Sequence, residues 1–123
     1  MQVTTPLEIF QDEGVTIVVL GTEYEDCDNI TLEQLTQQLL EIAKTAEPPL
    51  VIIDLSRIGF FGSALLGAVF RGWNRVMSRA DGRFAICGLT SHCADVFETT
   101  QLDRFWQVFH SRQDAIRTLT GKP

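Results

Sequence analysis

The spacing of hydrophobic positions changes several times along the chain, and each change marks an element. Leu7-Glu8-Ile9-Phe10-Gln11 partly alternates and predicts a short strand. Asp12-Glu13-Gly14 supplies turn chemistry, and Val15-Thr16-Ile17-Val18-Val19-Leu20-Gly21 predicts a second strand, so the two read as a hairpin. An acidic loop from Thr22 to Asn29 follows. Thr31 stands three residues before Gln34, the spacing of a capping box. Leu32, Leu35, Leu39, Ile42 and Ala46 then share one helical face, with Gln37, Gln38, Glu41 and Lys44 mostly outside it. Pro48-Pro49 cannot continue that helix, which sets its end near Thr45.

From Leu50 to Asp54 the pattern is a continuous apolar run rich in β-branched residues, as in a strand buried on both faces. A helix therefore links the second strand to the third, and such a crossover lets the two lie parallel with a right-handed connection. After a Gly62-Ser63 turn, Leu65, Leu66, Val69, Phe70, Trp73, Val76 and Met77 trace a wide apolar face of a helix running to about Arg79. The opposite face reads Ala64, Gly67, Ala68, Arg71, Arg75 and Arg79. Gly67 and Gly72 each cost a helix roughly 1 kcal/mol relative to Ala, so something must offset them. Close approach of another backbone or ring would do so, and so would relief of crowding within the domain.

Ala80-Asp81-Gly82 is a turn and Arg83-Phe84-Ala85-Ile86-Cys87-Gly88 a further short strand. Thr90 or Ser91 caps a helix holding Val96 and Phe97. Phe105-Trp106-Gln107-Val108-Phe109 predicts a last strand near the sheet edge, and Ser111 with Asp114 caps a final helix containing Ala115, Ile116 and Leu119. Strands alternating with helices in this way imply an α/β fold, a mixed and mostly parallel sheet of about five strands with about four helices packed on it.

The length, 123 residues, suits one domain over 1–123, and no stretch is rich enough in Pro, Gly or Ser to act as a linker. No apolar run approaches the roughly 20 residues that span a bilayer, so no membrane insertion is expected. The first residues lack the layout of a signal peptide, which makes the cytoplasm the expected location. A net charge of −6 disfavours nucleic acid as a partner. The charge is uneven: residues 1–56 hold eleven acids and a single base, Lys44, whereas residues 57–123 hold nine bases and five acids. Such separation steers a partner or guides self-association, or is simply a solvated surface.

Three cysteines, Cys27, Cys87 and Cys93, lack paired spacing and are expected to be free thiols, with Cys87 a small core residue. Neither they nor His92 and His110 show metal-ligand spacing, and no cofactor is implied. No Gly-rich phosphate loop, triad-like arrangement or pair of carboxylates near a histidine is present, so no enzyme is expected. Asp54 ends a buried strand, a common catalytic position, but as a lone carboxylate it reads as a hydrogen-bond partner for the following loop. Ser63 has two readings. Ser and Gly both cap helices, so Ser63 or Gly62 is a cap; alternatively Ser63 is delivered to a helix N-terminus whose free N–H groups and partial positive charge suit an anion.

The stretch from Val51 to Gly67, VIIDLSRIGFFGSALLG, resembles the signature of STAS domains, the fold of bacterial anti-sigma-factor antagonists. In that signature a hydrophobic-Asp-Leu-Ser run is followed by a Phe, an aliphatic residue and then Asp-Ser-Ser-Gly-Leu-Gly. Asp54, Leu55, Ser56, Phe60, Ser63, Leu66 and Gly67 match it, while Gly62 replaces the Asp, Ala64 the second Ser and Leu65 the Gly. The resemblance implies a phosphorylation site at Ser63, a serine-kinase anti-sigma factor as partner, and a metal-dependent phosphatase that reverses the modification. It places the acidic loop beside the serine. Partner contact is expected at Gly62, Ser63, Ala64, Leu66, Gly67, Ala68, Glu23 and Asp26, with Phe60 or Phe61 an apolar anchor and the other in the core. STAS domains also serve as unswitched scaffolds in stress-signalling assemblies and lipid-transport complexes. A phosphate on Ser63 would add roughly −1.5 to −2 charge where the helix dipole favours it, so the expected effect is a blocked surface on an intact fold.

Overall fold

The computed structural model describes residues 7–60 and 62–121. Strands β1 (Leu7–Asp12) and β2 (Val15–Leu20) form the expected hairpin, in register from Leu7 opposite Leu20 to Asp12 opposite Val15. Its two turn residues, Glu13 and Gly14, both have positive φ, 53° and 83°. That is what a two-residue turn matched to the strand twist requires. Helix α1 (Asn29–Thr45) then crosses to β3 (Leu50–Asp54), α2 (Ser63–Met77) to β4 (Arg83–Cys87), and α3 (Ser91–Thr99) to β5 (Gln107–Phe109), before the final helix α4 (Arg112–Thr120). The sheet order is β1-β2-β3-β4-β5, with β1 antiparallel and the rest parallel. It is a single α/β domain with a five-stranded mixed sheet and four helices.

Alternation along the central strands sorts the core into two layers. Val18, Leu20, Val51, Ile53 and Ile86 meet Leu35, Leu39, Leu65, Val69 and Phe97 of α1, α2 and α3 on one face. Val15, Ile17, Val19, Ile52, Ala85 and Cys87 meet Ala115, Ile116 and Leu119 of α4 on the other. Both layers draw on β2, β3 and β4, which is why those segments read as nearly unbroken apolar runs.

Several local expectations change. Helix α1 starts at Asn29, capped by Asp28, whose Oδ1 accepts the Thr31 N–H at 2.7 Å. Thr31 is thus the donor inside the first turn rather than the cap of a Thr31–Gln34 box. On α2, Ala68 is 3 % exposed and Met77 49 %, the reverse of their expected faces. The helix is rotated so that its small residues meet α1: a β-carbon on Gly72 would stand 3.4 Å from Leu39 Cβ. This close approach offsets the cost of Gly72, whereas a β-carbon on Gly67 meets nothing within 4 Å. Arg79 is not an outward base of α2 either. Its guanidinium donates to the Ala43 and Ala46 carbonyls and pairs with Glu47 at 2.7 Å, stabilising the negative end of α1.

The last strand is shorter than its pattern. Phe105 and Trp106 donate their backbone N–H groups to the Leu102 carbonyl in the preceding turn, leaving the strand to begin at Gln107. Trp106, 1 % exposed, packs among Phe70, Phe84 and Phe97, with ring centroids 4.7, 6.1 and 5.5 Å away.

Helix α4 is fastened to the sheet by charge as well as by packing. Arg112 donates to Asp54 Oδ2 at 2.8 Å, and its guanidinium carbon lies 5.0 Å from the Phe10 ring centre. Burial pushes the Asp54 carboxyl up, but hydrogen bonding from Ser56 and the Arg112 cation outweigh it and hold the group below its usual 3.8.

Two outcomes follow from this packing. Trp106→Ala removes the hub of the aromatic cluster and is expected to cost about 3–5 kcal/mol in urea unfolding. The depressed Asp54 value means that the unfolded chain binds this proton more readily, so the contribution is complete above the usual carboxylate value and is lost as pH falls through the lower folded value. Stability measured from pH 6 to pH 2 should therefore fall less steeply in Asp54→Asn than in the wild type, after subtraction of the offset at pH 6.

Candidate functional site: the β3–α2 loop and the start of α2

Strand β3 ends in the buried Asp54, whose Oδ1 accepts the Ser56 N–H at 2.9 Å, the loop contact expected of it. The opposite wall of this turn is Gly88. Its φ is +75°, and a β-carbon there would lie 3.1 Å from Asp54 Oδ1 and 3.0 Å from Ser56 Cβ. Next, Leu55 donates its N–H to the Cys87 carbonyl at 2.9 Å and Ile58 closes a turn onto the Leu55 carbonyl at 3.0 Å. Ile58 is fully buried, and its own carbonyl accepts from the Thr90 hydroxyl and the Cys93 thiol. Thr90 is the residue at the cap position of α3, yet it spends its hydroxyl on this loop. Cys93 is sealed in the core beneath it, while the neighbouring His92 stacks on the exposed Phe60 at 6.3 Å. Phe61 lies outside the described residues.

The loop is also joined to the acidic turn. Gly59 donates its N–H to Glu25 Oε2 at 2.5 Å. Glu25 follows a 3₁₀ turn, Thr22–Tyr24, in the connection between β2 and α1, so a carboxylate 34 residues away completes the loop's hydrogen bonding. In the sequence, only the family resemblance places this connection near Ser63. No pattern there marks Glu25 as a backbone partner, although it lies within the acidic loop from Glu23 to Asp26 that is expected to take part in docking.

After the loop, Gly62 occupies the cap position of α2 in an extended conformation, φ −86° and ψ 157°, and offers no side chain to the first turn. Its carbonyl accepts the Leu66 N–H at 3.1 Å. Ser63 is the first helical residue and is exposed to solvent, as is Ala64 beside it. Among the described residues, no N-cap side chain accepts from the first-turn N–H groups at the positive end of the helix dipole. Ser63 is therefore not the cap; Gly62 is. Beside it lies a cleft of about 260 Å³ whose lining includes Tyr24, Glu25, Asp26, Phe60 and Ser63. Glu23 is exposed on the same turn but does not line the cleft.

The outer face of α2 is partly as expected. Ala64 and Gly67 are exposed and Leu66 is half-buried against the core. Ala68 is withdrawn, for the reason given above, and cannot touch a partner in this conformation. The three cysteines are free. Burial, reinforced by the Asp54 charge, pushes the Cys87 thiol up to about 12, and burial with the nearby Asp28 raises Cys27 as well. Neither is an activated nucleophile. Two larger clefts of about 430 Å³ lie elsewhere, one between α3 and β5 and one between β1 and the end of α1. Among the described residues no helix is long and apolar enough to cross a membrane.

The family profile of the STAS domain matches residues 8–115. Among solved structures, the chain resembles an anti-sigma-factor antagonist (STAS) domain protein from Planctomyces limnophilus, at 26 % identity over 93 % of this chain and 97 % of that one, with a TM-score of 0.81. It shares its fold with the phosphorylated form of the Bacillus cell-fate determinant SpoIIAA, at 15 % identity, 92 % and 98 % coverage and a TM-score of 0.66. It also shares it with a chain of the stressosome, a signal integration and transduction hub, at 16 % identity, 93 % and 96 % coverage and a TM-score of 0.72. No curated protein matches the sequence. The profile takes in β2 to β5, all of β1 but Leu7, and the whole Asp54–Gly67 loop and helix start, and on that ground the chain belongs to the STAS domain family.

Proposed function

We propose that this chain is an anti-sigma-factor antagonist that binds a serine-kinase anti-sigma factor and is switched by phosphorylation of Ser63. The observation that carries this reading is the placement of Ser63. It stands exposed to solvent at the first position of α2, after a loop held by the Asp54, Glu25, Thr90 and Cys93 contacts, next to a helix start whose N-cap, Gly62, supplies no side-chain hydrogen bond. A kinase partner would transfer the terminal phosphoryl group of ATP: the Ser63 Oγ–P bond forms, the bond to ADP breaks and the hydroxyl proton passes to a base on the kinase. A phosphatase would return the serine by hydrolysis. The docking surface comprises Gly62, Ser63, Ala64, Leu66 and Gly67, flanked by Glu23 and Asp26. The role is one of binding rather than catalysis, and the cytoplasm is its expected setting.

A second reading draws on the Gly62-Ser63-Ala64 sequence, which departs from Asp-Ser-Ser, and on the shared fold with a stressosome chain. In it the protein is an unphosphorylated scaffold in a stress-signalling or lipid-transport complex. Incubation with ATP and candidate serine kinases, read by intact mass and peptide mapping, separates the two. The switch gains one phosphate at Ser63; the scaffold gains none.

Ser63→Asp is expected to keep its melting temperature, since a carboxylate in the first turn is favoured by about 0.3–1 kcal/mol. The same variant should weaken capture of the kinase partner at least tenfold, about 1.4 kcal/mol, in a titration. Gly67→Arg meets open space, so it should fold normally and lose partner binding to a similar degree. Unchanged affinity in both variants would remove the docking surface from this face.

A further inference from the structure

Gly62 leaves Ser63 without the carboxylate of the family signature, yet the folded chain supplies others. Glu25 and Asp26 line the same cleft as Ser63, and both come from the β2–α1 connection. Asp26 is exposed. Glu25 is half-buried and already engaged, its Oε2 holding the Gly59 N–H at 2.5 Å. This charge-assisted bond clasps the acidic turn to the loop that leads into α2. The loop's remaining contacts run to β1 through the Arg57–Glu8 pair at 2.7 Å, to β4, to α3 and to Asp54, so the bond can open without unfastening the rest.

We propose that negative charge on Ser63 opens the Glu25–Gly59 clasp. A phosphate there is drawn to the start of α2, which Gly62 leaves without a side-chain cap, and it raises the cost of keeping a second anion in the same cleft. Glu25 is the anion that can leave, because Gly59 exchanges its carboxylate for water at the surface. The acidic turn then separates from the loop, so the modified protein differs from the unmodified one in the shape of its docking face as well as in its charge. This inference rests on the reading of Ser63 as the modified residue and adds to it how the modification is transmitted.

The test uses the full chain with phosphoserine incorporated at position 63 during synthesis, so that no kinase is needed. Amide hydrogen exchange at Gly59 is compared by NMR with that of the unmodified chain. Exchange is expected to rise at least tenfold on phosphorylation. Glu25→Gln keeps an acceptor but loses the charge, and its Gly59 exchange should change less than twofold when position 63 is phosphorylated. Glu25→Ala should exchange fast in both forms. Equal protection of Gly59 in the two forms of the wild-type chain overturns the proposal, as does a Glu25→Gln chain that responds as strongly as wild type. If the phosphoserine chain does not fold, Ser63→Glu is read in the same way, with a rise of at least threefold expected and no rise counting against the clasp. A Gly59 response in a chain that no kinase modifies supports the clasp and refutes the switch alone; a kinase-modified Ser63 without that response refutes the clasp alone.

Discussion

One buried carboxylate organises the end of the sheet from which this protein presents its surface. Asp54 is 5 % exposed, and its two oxygens serve different elements. Oδ1 holds the Ser56 amide and so starts the loop, while Oδ2 holds Arg112 and so seats α4. The arrangement is tolerable because both oxygens are used and the countercharge stands at 2.8 Å. It also makes the two faces of the sheet interdependent. The loop belongs to the side covered by α1, α2 and α3, whereas Arg112 belongs to the side covered by α4.

From that anchor the loop is specified atom by atom. Backbone groups of Leu55, Ile58 and Gly59 are each taken up by a neighbouring element, so residues 55–59 are held in one arrangement by the fold itself. A surface ordered in this way has a lower ordering cost for any association it enters. At the helix start the logic reverses. Gly62 provides no side-chain acceptor, and the positive end of α2 remains available to a group that arrives later.

Much of this is legible along the chain. The unbroken apolar run of β3, the Glu13-Gly14 turn and the Pro48-Pro49 stop each encode their element locally, and the element order follows from them. The signature itself locates Ser63. What is not legible depends on residues that meet only after folding. Arg112 lies 58 residues beyond Asp54, and Gly59 lies 34 beyond Glu25. The exchange of Ala68 for Met77 on α2 has the same origin: helical spacing defines faces, but the seat of Gly72 on Leu39 decides how the helix is turned. Trp106 stands in a strand-like run yet joins the aromatic cluster instead, since a large ring gains more from burial than one strand position offers.

The lopsided covering of the sheet has a consequence for biosynthesis. Three helices close one side as the chain emerges, but the apolar surface of Val15, Ile17, Val19, Ile52, Ala85 and Cys87 has no lid until Ala115, Ile116 and Leu119 leave the ribosome. Throughout that interval the nascent domain carries a greasy plane exposed to the crowded cell. Until Arg112 is also in place, Asp54 lacks the countercharge that seats it. Shielding by a chaperone, or quick completion of the C-terminal helix, is therefore worth more to this fold than to one whose layers close evenly.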